Sequence, residues 1–172
     1  MRFLTTLVLG ICVSCMVLAQ DEAKKPAATK EIAKSVWDKL NAGPSSVFES
    51  NKIILMMPKT AEPKAKDITS NLEKYYENAA KSVGYKEDNA PWNGKLMVFI
   101  MPEREQFVAF VRRVEKRSPS SDDHGAFGFI EGVPYMVSGP TKPKDFTSSE
   151  VQAYKEMGGA LLRSKAGEKT PL

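Results

Sequence analysis

Lys95-Leu96-Met97-Val98-Phe99-Ile100-Met101-Pro102 runs directly into Glu103-Arg104-Glu105-Gln106-Phe107-Val108-Ala109-Phe110-Val111-Arg112-Arg113-Val114, and the two halves obey different periods. The first is a continuous apolar run, the pattern of a strand covered on both faces, and Pro102 closes it. In the second, Phe107, Phe110, Val111 and Val114 recur at i, i+3, i+4 and i+7. That spacing predicts an amphipathic helix over Glu103 to Arg117.

Upstream the alternation repeats. Ile32, Ala33, Val36, Trp37 and Leu40 keep helical spacing, with Thr29 as a candidate cap and Gly43-Pro44 as the stop. Lys52 to Met57 is a second apolar run closed by Pro58. A Lys/Pro/Ala segment, Lys59 to Lys66, then leads into a helix carrying Ile68, Leu72, Tyr75, Tyr76, Ala79, Ala80 and Val83, stopped by Gly84. Asn89 to Gly94 is a turn before the strand at Leu96. Downstream, Ser118 to Gly125 is a stretch of turn-formers. Ala126 to Ile130 and Val133 to Ser138 are two apolar runs split by Glu131-Gly132, the pattern of a hairpin. Pro134 lacks an N–H and predicts that the second of these strands lies at the sheet edge. Thr147-Ser148-Ser149-Glu150 reads as a capping box opening a helix with Val151, Tyr154, Gly158, Leu161 and Leu162 on one side. The order helix, strand, helix, strand, helix, hairpin, helix argues a single α/β domain over residues 29–172 with a small mixed sheet and no internal repeat.

The first residues read as a secretory signal: Arg2 is the charged start, Leu4 to Val17 the apolar run and Val17-Leu18-Ala19 the small-x-small site, which places cleavage before Gln20. The apolar run falls short of the ~20 residues of a spanning helix. A lipoprotein site at Cys15 is disfavoured by Cys12 three positions before it. Residues 20–28 are polar, without period, and read as a flexible leader. The expected location is therefore secreted or periplasmic, without a membrane span after cleavage.

Both cysteines, Cys12 and Cys15, lie inside the segment expected to be removed, so the mature chain would hold no disulfide, thiolate nucleophile or cysteine zinc site. A domain of about 150 residues buries roughly two thirds of its unfolded surface and does not need staples. The formal charge of +4 is spread among acids, as in Glu103-Arg104-Glu105 and Glu115-Lys116-Arg117. The basic footprint of a nucleic-acid-binding surface is missing, and the densest group, Arg112, Arg113, Lys116 and Arg117, reads as the solvated face of a helix.

His124, the sole histidine, could join a serine triad only with Asp122 or Asp123 as its orienter. Adjacent residues in a polar loop fix a tautomer poorly, and there is no Gly-x-Ser-x-Gly elbow. Neither phosphate-binding glycine motif is present. The succession Lys95 to Ile100, Glu105 to Arg112, the Gly-Phe hairpin at Gly125 to Ser138 and a capped last helix resembles the front half of secreted bacterial gluzincin-type (peptidase-MA-like) domains.

That resemblance implies a zincin-like fold whose last helix would carry His-Glu-x-x-His, two histidines one turn apart on zinc with the glutamate as general base. Lys155-Glu156-Met157-Gly158-Gly159 falls at this place. Glu156 matches the general base, whereas Lys155 and Gly159 stand where the zinc-binding histidines belong, so the resemblance leaves neither metal nor cofactor here. The third ligand, a glutamate on a later helix, has no counterpart up to Leu172, and residues 165–172 resemble the linker into such a helix. The resulting expectation is a degenerate peptidase, a pseudoenzyme acting as a binding or structural module, with an extended peptide or envelope protein as partner. Its binding surface would be the edge strand Tyr135, Met136, Val137 and Ser138, because in such folds an antiparallel edge lines the cleft. Two alternatives stand beside it: a carboxylate-based secreted hydrolase using Glu156 with Asp145 or Glu150, and a truncated fragment without function of its own. From the sequence alone, Glu156 reads as an exposed helix acid, and Gly158-Gly159 as a place of close packing against the sheet.

Overall fold

A computed structural model describes residues 26–85, 91–92 and 94–166. The expected signal segment, the leader up to residue 25 and residues 89, 90 and 93 of the Asn89–Gly94 turn lie outside the described residues. The chain is α/β, as its alternation predicts: α1 (Pro26–Leu40), β1 (Ser45–Glu49), β2 (Ile53–Pro58), a 3-10 turn (Lys59–Lys64), α2 (Ala65–Val83), β3 (Leu96–Ile100), α3 (Arg104–Phe110), β4 (Gly125–Ile130), β5 (Val133–Ser138) and α4 (Phe146–Ala166). One strand more than expected is present. β1 was not legible because Ser45-Ser46-Val47-Phe48-Glu49 is half polar and only partly buried.

The five strands form one mixed sheet in the order β1-β2-β3-β5-β4. β2, β3 and β5 run parallel, and β1 and β4 pair antiparallel on the two outsides. Alternation of side chains splits the core in two. On one face Ile54, Met56, Met97, Phe99, Tyr135 and Val137 pack with Trp37 of α1 and Phe107 and Phe110 of α3. On the other, Ile53, Leu55, Leu96, Val98, Ile100 and Met136 pack with Ile68, Leu72 and Tyr76 of α2 and Ala153, Met157 and Leu161 of α4. The three central strands are fully buried, which is why they read as continuous apolar runs.

The expectation that Pro134 marks an edge strand is wrong. β5 lies between β3 and β4, and the edge belongs to β4. The hairpin turn explains how a proline fits there. Glu131 (φ 52°) and Gly132 (φ 78°) both adopt the left-handed conformation of a tight two-residue turn, which makes Ile130 and Val133 a hydrogen-bonded pair. Alternation then places Phe129 and Pro134 in a non-hydrogen-bonded pair, with the proline nitrogen turned toward β3. The β3 ladder begins only at Tyr135, opposite Met97, so the missing N–H leaves neither ladder short of a donor.

Three boundaries also shift. α1 begins at Pro26, a residue suited to the first helical position, so residues 26–28 are helix rather than leader and Thr29 sits buried inside it. α4 is capped two residues earlier than Thr147. Asp145 Oδ1 accepts from the Ser148 N–H (3.2 Å), while the Ser149 hydroxyl reaches into the core to the Met101 carbonyl (2.8 Å). After Phe110 the third helix widens into a π turn, Val111–Glu115, which Lys116 ends at φ 57°.

Candidate functional site

α4 lies along β5 and β4, and its residues at 152, 156, 159 and 163 share the shoulder of the helix that faces the β4 edge. Glu156 lies directly across β4: a Cβ added to Gly125 would come within 2.2 Å of the Glu156 carboxyl carbon. Only a glycine at 125 leaves the carboxylate this place. Gln152 Nε2 donates to Glu156 Oε1 at 2.7 Å, while Oε2 turns over Gly159, 4.0 Å from where a Cβ would stand. Two turns further on, Arg163 donates to the Phe127 carbonyl at 3.1 Å. Neither Glu156 nor Arg163 has an ion-pair partner among the described residues.

Among the described residues the outer side of the backbone beside this shoulder has no partner strand. The hydrogen bond from the Gly139 N–H to the His124 carbonyl (2.8 Å) continues the paired positions Ile130, Gly128 and Ala126 outward along β4. By alternation Gly125, Phe127 and Phe129 point their N–H and C=O groups away from β5. Among the described residues only the Arg163 guanidinium meets one of them. Such a row is a template for another strand, and a cation on the edge is one of the ways proteins guard it.

The other sequence-derived candidates separate from this place. Tyr135, Met136, Val137 and Ser138, expected to form the binding edge, are buried within the sheet. The Tyr135 hydroxyl donates to Glu115 Oε1 (2.9 Å), and burial raises its ionisation far above the ordinary phenol range. Ser138, 1% exposed, is the cross-strand neighbour of Gly125 on the α4 side, and its hydroxyl has no partner among the described residues. Asp145 is consumed as the cap of α4, and Glu150 accepts from the Tyr154 hydroxyl at 2.6 Å. Asp145 and Glu150 are thus each engaged by a neighbour within three or four residues, and Glu156 by Gln152.

His124 lies toward α3, with Nδ1 2.9 Å from the Pro140 carbonyl and 3.4 Å from Arg104. Asp123 does not orient it, because its carboxylate receives Arg117 (2.7 Å), which holds the carboxyl below the usual range. Asp122 accepts from the Ser121 hydroxyl at 3.1 Å. The stretch 118–124 is tethered rather than loose. Arg104 donates to the carbonyls of Ser120 (2.6 Å), Ser121 (3.3 Å) and Asp123. Arg113 and Arg117, expected as mere solvated charge, likewise tie α1 and this loop to the third helix.

Zinc does not fit the residues at Lys155 to Gly159. Lys155 is a cation on the outer face of α4, Gly159 offers no donor, and His124 sits on the other face of the sheet from Glu156. Among the described residues, no three of His, Cys, Asp and Glu come together in a metal-binding group. The Gly158-Gly159 expectation is also corrected: a Cβ at Gly158 would meet nothing within 4 Å, so neither glycine serves close packing. No helix among the described residues is long and apolar enough to cross a membrane.

Sequence reading missed Gly125, Gln152 and Arg163. The helical stripe 152-156-159-163 was there to be seen, but what it faces depends on strand order. Comparison with protein-family models, with curated proteins and with solved structures returns no match to this chain.

Proposed function

We propose that this chain is an exported peptide-binding module, related in design to the sheet-and-helix half of a gluzincin-type peptidase and working without its metal. One arrangement carries the reading: an antiparallel edge strand, β4, offers the outward backbone groups of Gly125, Phe127 and Phe129 beside α4, with the Glu156 carboxylate next to Gly125; by the sequence resemblance alone, Glu156 is the counterpart of the family's general base. An extended peptide added to β4 gains main-chain hydrogen bonds from the edge and side-chain selection from the α4 shoulder. With Lys155 and Gly159 in place of imidazoles, Glu156 activates no metal-bound water, and it acts as a recognition carboxylate instead.

The test compares Phe129→Pro with Phe129→Ala. The Phe129 N–H points outward, so proline removes a donor that only an incoming strand would use, and alanine controls for the lost ring. Peptides selected from a random display library should bind wild type and the alanine variant and lose at least tenfold in affinity with the proline variant. Equal binding to all three would refute edge capture. Near-equimolar zinc after dialysis, with peptide hydrolysis abolished by Glu156→Gln, would make the protein a peptidase.

A further inference from the structure

The α4 shoulder also says which peptide the edge would take, an inference that rests on edge capture by β4. Glu156 and Arg163 are opposite charges without ion-pair partners, set along one side of the β4 edge. They are seven residues apart, ~10 Å along the helix. Glu156 stands at Gly125 and Arg163 at Phe127, so α4 and β4 run in the same direction, and the two charges mark two successive outward positions of the strand, ~7 Å apart. In an antiparallel addition the incoming residues directly opposite Gly125 and Phe127 turn their side chains to the same face as those two, toward α4.

We infer that the partner is an extended segment of another protein carrying an acidic residue and, two residues later, a basic one. The basic side chain lies against Glu156 over the space left by Gly125 and Gly159, and the acidic one meets Arg163. On binding, the incoming strand's N–H takes over the Phe127 carbonyl, and the guanidinium turns from that carbonyl to the carboxylate. A bulkier residue at 125 or 159 would narrow the space, and Gln152 holds the other oxygen of Glu156 so that Oε2 stays presented.

Edge-to-edge pairing of two copies does not supply the complement. β4 carries no charged residue between Gly125 and Ile130, and the other outside strand, β1, carries only Glu49, already bonded to Lys95 at 2.6 Å. Paired copies would leave Glu156 and Arg163 facing phenylalanine, serine or valine.

The probes are three synthetic nonapeptides of one threonine- and valine-rich background, measured by fluorescence anisotropy at low and high salt. They hold Glu-x-Lys, Lys-x-Glu or Gln-x-Gln at the centre. Exposed charge pairs are individually weak, so Glu-x-Lys should bind a few-fold to about tenfold tighter than Gln-x-Gln, with the advantage shrinking in high salt, and Lys-x-Glu weakest. The double variant Glu156→Arg with Arg163→Glu should reverse that order, its folding checked by circular dichroism. Because the peptide series also ranks binding to the unaltered protein, a variant that fails to fold leaves the test standing. Equal binding of all three peptides, all sensitive to Phe129→Pro, would overturn the charge pattern and leave edge capture intact. Binding of any kind that ignores Phe129→Pro, or no binding at all, would overturn both.

Discussion

Replacing Gly158 and Gly159 by alanine should make the protein more stable. Both lie inside the 21-residue helix α4, where glycine costs ~1 kcal/mol relative to alanine through backbone entropy. The gain is realised only if the added methyl groups find room. At Gly158 a Cβ meets nothing within 4 Å, and at Gly159 its nearest neighbour is Glu156 Oε2 at 4.0 Å, an ordinary contact. Neither glycine has a positive φ, so no backbone strain opposes the change. The two substitutions together should add ~2 kcal/mol, and in a domain of this size ~1 kcal/mol raises Tm by about 2–4 °C. Urea titration should show a higher midpoint with an unchanged m-value, and thermal melting a rise of about 4–8 °C. Loss of stability in either single variant would show that the space around that glycine is filled in the folded protein, and the reasoning from open space would be wrong.

Phe110, buried and packed against Phe99 (5.1 Å) and Tyr135 (5.3 Å), should cost about 3–5 kcal/mol when changed to alanine; a loss below ~1 kcal/mol in urea titration would deny the α3 stripe its place in the core. Ser138→Ala should be neutral or stabilising, because the deleted hydroxyl is buried without a partner among the described residues; a loss above ~1 kcal/mol would reveal a hydrogen bond there. Arg104→Ala should free three carbonyls of the 118–124 stretch and speed hydrogen exchange there, leaving the sheet protected; unchanged exchange would mean the tether does not hold it. Lys95 beside Glu49 and Arg117 beside Asp123 each hold a carboxyl below its ordinary value. Their contribution is present above the unfolded carboxylate pKa of ~4 and is lost as pH falls through the lower folded values; screening at the surface keeps it small. Stability measured from pH 5 to pH 2 should fall less steeply in Lys95→Met with Arg117→Met than in the wild type.

Periods of 2 and 3.6 residues are local, and they were enough for the α/β class, the amphipathic helices, the buried strands at Ile53 and Leu96 and the two-residue turn at Glu131-Gly132. Residue type is local as well: Lys155 is a cation and Gly159 has no donor atom in a side chain, wherever the helix lies. Strand order is not local. Whether Val133–Ser138 or Gly125–Ile130 stands outermost depends on which of them pairs with β3. The proline rule misled because a non-hydrogen-bonded position just beyond the start of a ladder costs a proline nothing. With β4 on the outside, Gly125, Glu156 and Arg163 come together from residues 31 and 38 positions apart in the chain, a meeting that no spacing within the sequence encodes. β1 escaped for a related reason: its half-polar sequence becomes a strand only because β2 offers it an edge, so its structure is decided by the partner rather than by its own pattern.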